Sequence, residues 1–275
     1  MRSKTSSRPK RIVILGAGRM GSWLARELSR NNEVAVYDSD EGKQTGLKSV
    51  VHLSHPGTIK GFRPEILINA VSLRQTLSAF EKTVPYLKRD CILCDVASVK
   101  GEIAEYYERI PFRFASIHPM FGPTFTDMKT LSEENGIIIT DSCSEGRDFF
   151  QNFFRHLKVH IFEYSFKEHD RMMAYSLAMP FAASMIFAAC VNTATVPGTT
   201  FKRHLSIARN LLSEDDQLLS EILFNPHCLS QLDRITSRLE FLKHIIKGQD
   251  YEEIVRFFKG LRENVGEQSE NSSYP

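Results

Sequence analysis

Residues 11 to 21 read Arg11-Ile12-Val13-Ile14-Leu15-Gly16-Ala17-Gly18-Arg19-Met20-Gly21. Four apolar residues, three of them β-branched, run straight into a glycine-rich segment. A short apolar run bounded by glycine reads as a buried strand. Met20 to Asn31 reads as a helix, with Trp23, Leu24 and Leu28 on one face. In such a strand–turn–helix unit Gly16 permits the tight turn. Gly18 lets a pyrophosphate approach the backbone, and Gly21 lets helix and strand pack closely. The helix start at Arg19 and Met20 then turns free amides toward phosphate.

The next strand, Glu33 to Tyr37, ends at Asp38, followed by Ser39 and Asp40. A carboxylate at the end of a second strand accepts hydrogen bonds from ribose hydroxyls. With no arginine after it, NAD is favoured over NADP. Further strands are expected at Ile66–Val71, Cys91–Val96, Phe112–Ile117 and Gly136–Thr140. Helices are expected at about Leu73–Leu87 and Val99–Ile110. Strands alternating with helices imply parallel pairing and a doubly wound α/β sheet. The pattern changes at Ser165, where Ser165-x-x-Glu168 has the spacing of a capping box. Beyond it only helices are expected: Lys167–Val191, Thr200–Leu212, Gln217–Phe224, Leu229–Ile246 and Tyr251–Glu263. Gly266–Pro275 reads as a disordered tail. The expected division is a dinucleotide-binding domain over residues 1–164 and a helical domain over 165–275.

The 275 residues suit about two domains. With 42% hydrophobic and 25% charged residues, the chain is neither disordered nor a disulfide-stapled miniature. Lys+Arg 35 against Asp+Glu 33 gives a net charge of +2 and no general surface for nucleic acid. Five cysteines suit a reduced, cytoplasmic protein. Cys91 and Cys94 fall within one expected strand at an odd separation. Their thiols should face opposite ways and hold no metal. Arg2 to Arg11 is basic and reads as a frayed tail. Met172 to Val191 carries no charge and is long enough to span a bilayer. Its six alanines, Pro180, Ser176 and Ser184 instead suit a helix buried within a domain or a dimer. No membrane role is expected.

Three polar positions follow strand ends. Val71 and Ser72 close one strand and are read as cofactor contacts. Ser98 follows another, and His118 follows a third. Ligand crevices of open α/β sheets lie at those carboxyl ends. Ser98 also fits a cap for a helix starting at Val99, and the two roles are compatible. His118 precedes Pro119, which favours extended backbone. Taken alone, it fits a structural histidine as well as a functional one.

Asp95-Val96-Ala97-Ser98-Val99-Lys100-Gly101 and His118-Pro119-Met120-Phe121-Gly122-Pro123 resemble the paired signatures of the prephenate dehydrogenase family. Glu168-His169-Asp170 is similar to a third. The resemblance runs in order from residue 11 to about 263. It implies a Rossmann-type domain followed by an all-α dimerisation domain, and oxidation of prephenate or arogenate with NAD(P) in tyrosine biosynthesis. By resemblance His118 is the catalytic base, suited to proton transfer near neutrality. Ser98 would hold the substrate hydroxyl and the histidine. The helical domain would supply cations for substrate carboxylates. Two departures stand out. Ala178 and Phe181 occupy positions where some members carry histidine, and Asn210 occupies that of a carboxylate-binding arginine. Lys202, Ser206 and Arg209 share one helical face. Lys202 and Arg209 are therefore the candidate carboxylate partners, and they equally fit a solvated basic face. Arogenate, another hydroxy acid, or a non-catalytic NAD-binding role remain as alternatives to prephenate.

Overall fold

The computed structural model describes residues 8–44, 46–122, 130–192 and 196–270. The expectations for the basic tail up to Ser7, for Pro123 and for residues 271–275 lie outside the described residues. Eight strands form one sheet: β1 (Arg11–Leu15), β2 (Glu33–Tyr37), β3 (Val51–Leu53), β4 (Ile66–Asn69), β5 (Ile92–Asp95), β6 (Arg113–Pro119), β7 (Asn135–Ile139) and β8 (His160–Tyr164). Their order is β3-β2-β1-β4-β5-β6-β7-β8.

β1 is buried on both faces, and its alternation sorts the core into two layers. Ile12 and Ile14 pack with Trp23, Leu24, Phe150 and Phe154, which belong to α1 (Arg19–Leu28) and α5 (Ser144–His156). Val13 and Leu15 pack with Phe80, Ile103 and Tyr107 of α3 (Leu73–Thr83) and α4 (Ile103–Arg109). Each large side chain so buried stabilises the fold by about 1.5–3 kcal/mol. Cys91 lies in the second layer and Cys94 in the first, as their odd separation requires. Burial pushes the Cys91 thiol up to about 12, so it is inert.

Five features differ from expectation. β3 is only three residues long, with Val51 half exposed, and shows no readable period. β8 (His-Ile-Phe-Glu-Tyr) mixes polar and apolar residues at the sheet edge. α5 forms where no helix is expected, behind a polar start, with Phe149, Phe150, Phe153 and Phe154 at helical spacing. β6 and β7 pair antiparallel, against the expectation of parallel pairing throughout. A parallel return needs a crossover, usually a helix, and the described residues of this connection, 120–122 and 130–134, contain no helix. The helix after β5 begins at Ile103 instead of Val99. Gly101 has φ +40°, a left-handed conformation that breaks any helix through it, so Ser98 is no helix cap.

Past Tyr164 the described residues form helices, and the capping box at Ser165 and Glu168 is present. α6 (Phe166–Met173) and α7 (Met179–Ala189) are joined by a widened, π-helical turn over Ala174–Ala178. Pro180 removes one backbone donor just beyond it, and the wide turn absorbs that loss. The helix Phe166–Ala189 is long and apolar enough to cross a bilayer by length and composition. The chain itself buries only 22% of its most apolar window. Burial inside one domain is therefore not what covers it. α8 (Thr199–Leu211) and α9 (Asp216–Leu223) follow. Two compact units divide at His227 and Cys228. The second contains α10 (Cys228–Gly248) and α11 (Tyr251–Glu270), with Phe241 edge-on to Phe257 at 5.6 Å. α11 runs to Glu270, into the stretch expected to be disordered.

Candidate active site

A cleft of about 980 Å³ opens at the carboxyl ends of β4, β5 and β6. Val71, Ser72, Ser98 and His118 all line it, with Arg19 and Met20 from the start of α1. The other expected cofactor contacts form the glycine turn beside it. Gly16 has φ +91°, and its N–H donates to Tyr37 O at 2.8 Å. A Cβ on Gly21 would stand 2.0 Å from Gly16 O, so only glycine fits there. A Cβ on Gly18 would meet no protein atom within 4 Å. That gap beside the first, uncapped turn of α1 suits a phosphate group held by backbone amides. Asp38 is held in place at the end of β2. Its Oδ2 accepts from Ala17 N at 2.6 Å and its Oδ1 from Asp40 N at 2.9 Å. A carboxylate has about four acceptor sites, so two remain for ribose hydroxyls.

The loop carrying Ser98 is fixed from both ends. Asp95 and Lys100 are fully buried, and Lys100 Nζ lies 2.6 Å from Asp95 Oδ1. Lys100 Nζ also donates to Ile117 O at 2.7 Å, and Tyr107 Oη donates to Asp95 Oδ2 at 3.1 Å. One ammonium thus ties the end of β5 to the residue preceding His118. Trp23 meets Phe121 edge-on at 5.3 Å and anchors the segment after His118.

From α6, Asp170 closes the same loop. Its Oδ1 accepts from Lys100 N at 2.8 Å and its Oδ2 from Gly101 N at 2.9 Å. His169 Nδ1 lies 2.8 Å from Asp170 Oδ1, and His169 Nε2 lies 3.0 Å from His118 Nδ1. His118 is 5% exposed and His169 fully buried. Burial, with His169 and Lys100 nearby, holds His118 well below the ordinary histidine value of 6.5. Burial also lowers His169, against the opposing pull of Asp170. The Asp170 carboxyl is held below its ordinary range: hydrogen bonds from His169, Lys100 and Gly101 outweigh its burial. The triplet Glu168-His169-Asp170 was conspicuous in the sequence, but its partnership with His118 was not. The two histidines are 51 residues apart.

α9 supplies a second, unforeseen contribution. Glu221 caps α3, accepting from Leu73 N at 3.1 Å and Arg74 N at 2.8 Å. Gln217 Nε2 reaches Glu221 Oε1 and Ser72 Oγ, both at 3.2 Å. Arg19 pairs with Glu214 at 3.1 Å. Leu177 and Phe181 form an apolar stretch of wall. Lys202 and Arg209 stand exposed on α8 and do not line the cleft. The charged side chains lining it are Arg19, Glu134, Glu214, Asp215 and Glu221.

Sheet, glycine turn and cleft define a Rossmann-type nucleotide-binding protein with a helical C-terminal region. Residues 24–162 match the family described as prephenate dehydrogenase, nucleotide-binding domain. The chain belongs to the prephenate dehydrogenase family. It is 21% identical to a Methanocaldococcus jannaschii protein named "Probable arogenate/prephenate dehydrogenase", over 95% of this chain and 62% of that protein. It is 22% identical to "Arogenate dehydrogenase 2, chloroplastic" of Arabidopsis thaliana, over 87% and 70% of the two chains. Prephenate dehydrogenase from Aquifex aeolicus, solved with hydroxyphenyl propionate and NAD+, superposes with a TM-score of 0.81 at 18% identity, covering 96% and 99% of the chains. Synechocystis arogenate dehydrogenase gives 0.71 at 18%, covering 94% and 99%.

Proposed function

We propose that this chain is an NAD-dependent prephenate dehydrogenase. It converts prephenate to 4-hydroxyphenylpyruvate and CO2 as part of tyrosine biosynthesis. The observation that carries this reading is the gathering of Ser72, Ser98 and His118 in one cleft beside the glycine turn. Residues 1–164 form the dinucleotide-binding domain and residues 165–275 the helical substrate and dimerisation domain. Gly16, Gly18 and Gly21 shape the phosphate turn, Arg19 and Met20 begin its helix, and Val71 and Ser72, which line the cleft, would hold the nicotinamide end. Asp38 holds the adenosine ribose and repels a 2′-phosphate. These residues would hold a nicotinamide dinucleotide, which would supply the hydride acceptor for the substrate. Ser98 orients the ring hydroxyl, and His118 Nε2 accepts its proton. The carbon–carboxylate bond then breaks, and its electrons complete the aromatic ring. The protein works in the cytoplasm as a homodimer through its helical region.

The cleft's charges favour a second reading. Four carboxylates and Arg19 line it, whereas Lys202 and Arg209 stand outside. Glu214 is paired with Arg19, Asp215 caps α9 and Glu221 caps α3, so Glu134 is the carboxylate left to meet an ammonium group, which arogenate has and prephenate lacks. NADH production with prephenate, arogenate and no substrate, measured side by side, decides between them. His118→Asn should lower kcat by roughly 10²–10⁴ with little change in NAD affinity. Retention of more than about a tenth of the rate, with chemistry limiting, would exclude His118 as base. Equal kcat/KM for NAD and NADP would remove the role given to Asp38. Arg209→Ala tests the carboxylate assignment: an unchanged KM for substrate removes Arg209 from it.

A further inference from the structure

His118 has two ring nitrogens, and only one protonation pattern lets it act as a base toward the cleft. Asp170 is an ionised carboxylate that already accepts from the amides of Lys100 and Gly101. It can only accept from His169, so the His169 proton sits on Nδ1. In the neutral ring, His169 Nε2 is then a bare lone pair. At 3.0 Å from it, His118 Nδ1 must carry the shared hydrogen. His118 Nε2 is left without a proton and, among the described residues, without a protein partner.

We propose that Asp170 and His169 are positioning residues that dictate the tautomer of His118 through two successive rings, presenting its bare Nε2 to the cleft. This rests on reading His118 as the base. The same line of groups receives the charge when Nε2 takes a proton. The imidazolium Nδ1–H points at the lone pair of His169, and the ring beyond leans on the Asp170 carboxylate. The other charged groups nearby are Lys100 and Asp95, which neutralise each other at 2.6 Å. Asp170 also holds the amides two and three residues after Ser98. One carboxylate therefore sets both the orientation of the base and the place of the hydroxyl-binding loop.

Nitrogen-15 NMR of histidine-labelled protein reads the tautomer without reference to turnover. The signals are assigned by their loss in His118→Asn and His169→Gln. At neutral pH both histidines should carry hydrogen on Nδ1 and none on Nε2. A proton on His118 Nε2 in the wild-type protein overturns the proposal. Asp170→Asn leaves one oxygen for the three donors on His169, Lys100 and Gly101, so it should weaken the tautomer preference of both rings and lower kcat by about 10²–10⁴, as loss of an orienting aspartate does in a comparable His–Asp pair. His169→Gln keeps a carbonyl that accepts from His118 Nδ1, whereas His169→Leu does not. The glutamine variant should turn over at least about tenfold faster than the leucine one, with similar KM for NAD. Equal loss in the two overturns the proposal even if Asp170→Asn fails to fold. If His118→Asn keeps its activity while the nitrogen pattern is as expected, the base assignment fails and the tautomer assignment stands.

Discussion

At the scale of single residues, the base of the cleft is a line of buried polar groups, from His118 through His169 to Asp170, that hold one another. His118 and His169 are held neutral by burial. That has a sign for stability. Both have folded values below the ordinary 6.5. As pH falls through 6.5 the unfolded chain takes up protons that the native state refuses, so stability declines toward acid. The slope is at most about 1.4 kcal/mol per pH unit for each ring, and it persists until the lowered folded values are reached. Asp170 acts in the same direction at lower pH: its stabilisation is present above the ordinary carboxyl range and is lost as pH falls through its depressed value. Urea denaturation at pH 7.5 and 5.5 checks this, with the His118→Asn/His169→Gln double variant as reference. Equal pH dependence in the two proteins contradicts it. Lys100 gives a second test. Lys100→Ala strands the buried Asp95 carboxylate and releases Ile117 O, so stability should fall by about 3–5 kcal/mol. A loss below about 1 kcal/mol would show that Asp95 finds water or a proton instead.

At the scale of elements, the cap on α3 comes from α9, with its bonding atoms 147 and 148 residues apart in sequence. Two amides of the first turn and the side chain of Gln217 converge on Glu221. A cap of this kind contributes roughly 0.5–2 kcal/mol, and the negative charge at a helix start adds to it. Glu221→Ala should lower stability by about that amount. It should also increase hydrogen exchange at Leu73 and Arg74, while β1 amides stay protected. Unchanged exchange at those two amides would contradict the capping role. The contrast with β1 shows what was legible. Arg11–Gly21 announced strand, turn and helix because every cue is local: β-branched residues, three glycines, an amphipathic run. Ser165–Glu168 announced the start of α6 for the same reason. Glu221 on α3 and His169 on His118 are contacts between distant segments, and no local period encodes them. The antiparallel β6–β7 pair is not legible in the sequence, because strand direction is set by the path of the connection after Pro119 and not by any local period.

At the scale of the whole molecule, the α6–α7 helix is the outstanding unsatisfied surface. Only 22% of its most apolar window is buried by its own chain, and Ile186 is 62% exposed. Apolar patches of such extent mark association surfaces. A homodimer through this helix is expected, and Ile186→Glu should weaken it. Sedimentation at micromolar concentration should give about twice the mass of one chain for the wild type and a lighter species for the variant. A wild-type monomer, or protein recovered only with membranes, rejects the expectation.

The reversal between β6 and β7 also decides how the chain leaves its sheet. Because β7 runs against β6, its amino end lies with the carboxyl ends of β4 to β6, which brings Glu134 to the cleft. β8 runs parallel to β7, so the chain exits at Tyr164 on the far rim. α6 must then climb back over the sheet. Phe166 packs near Phe114, His169 meets His118 one turn later, and Leu177 and Phe181 arrive at the cleft wall. A strand pointing the other way would have ended at the cleft and sent the next helix away from it. The nucleotide-binding fold therefore cannot be excised at its last strand as a working module. A fragment ending at Tyr164 would keep the glycine turn but lose His169, the ring that holds His118 Nδ1.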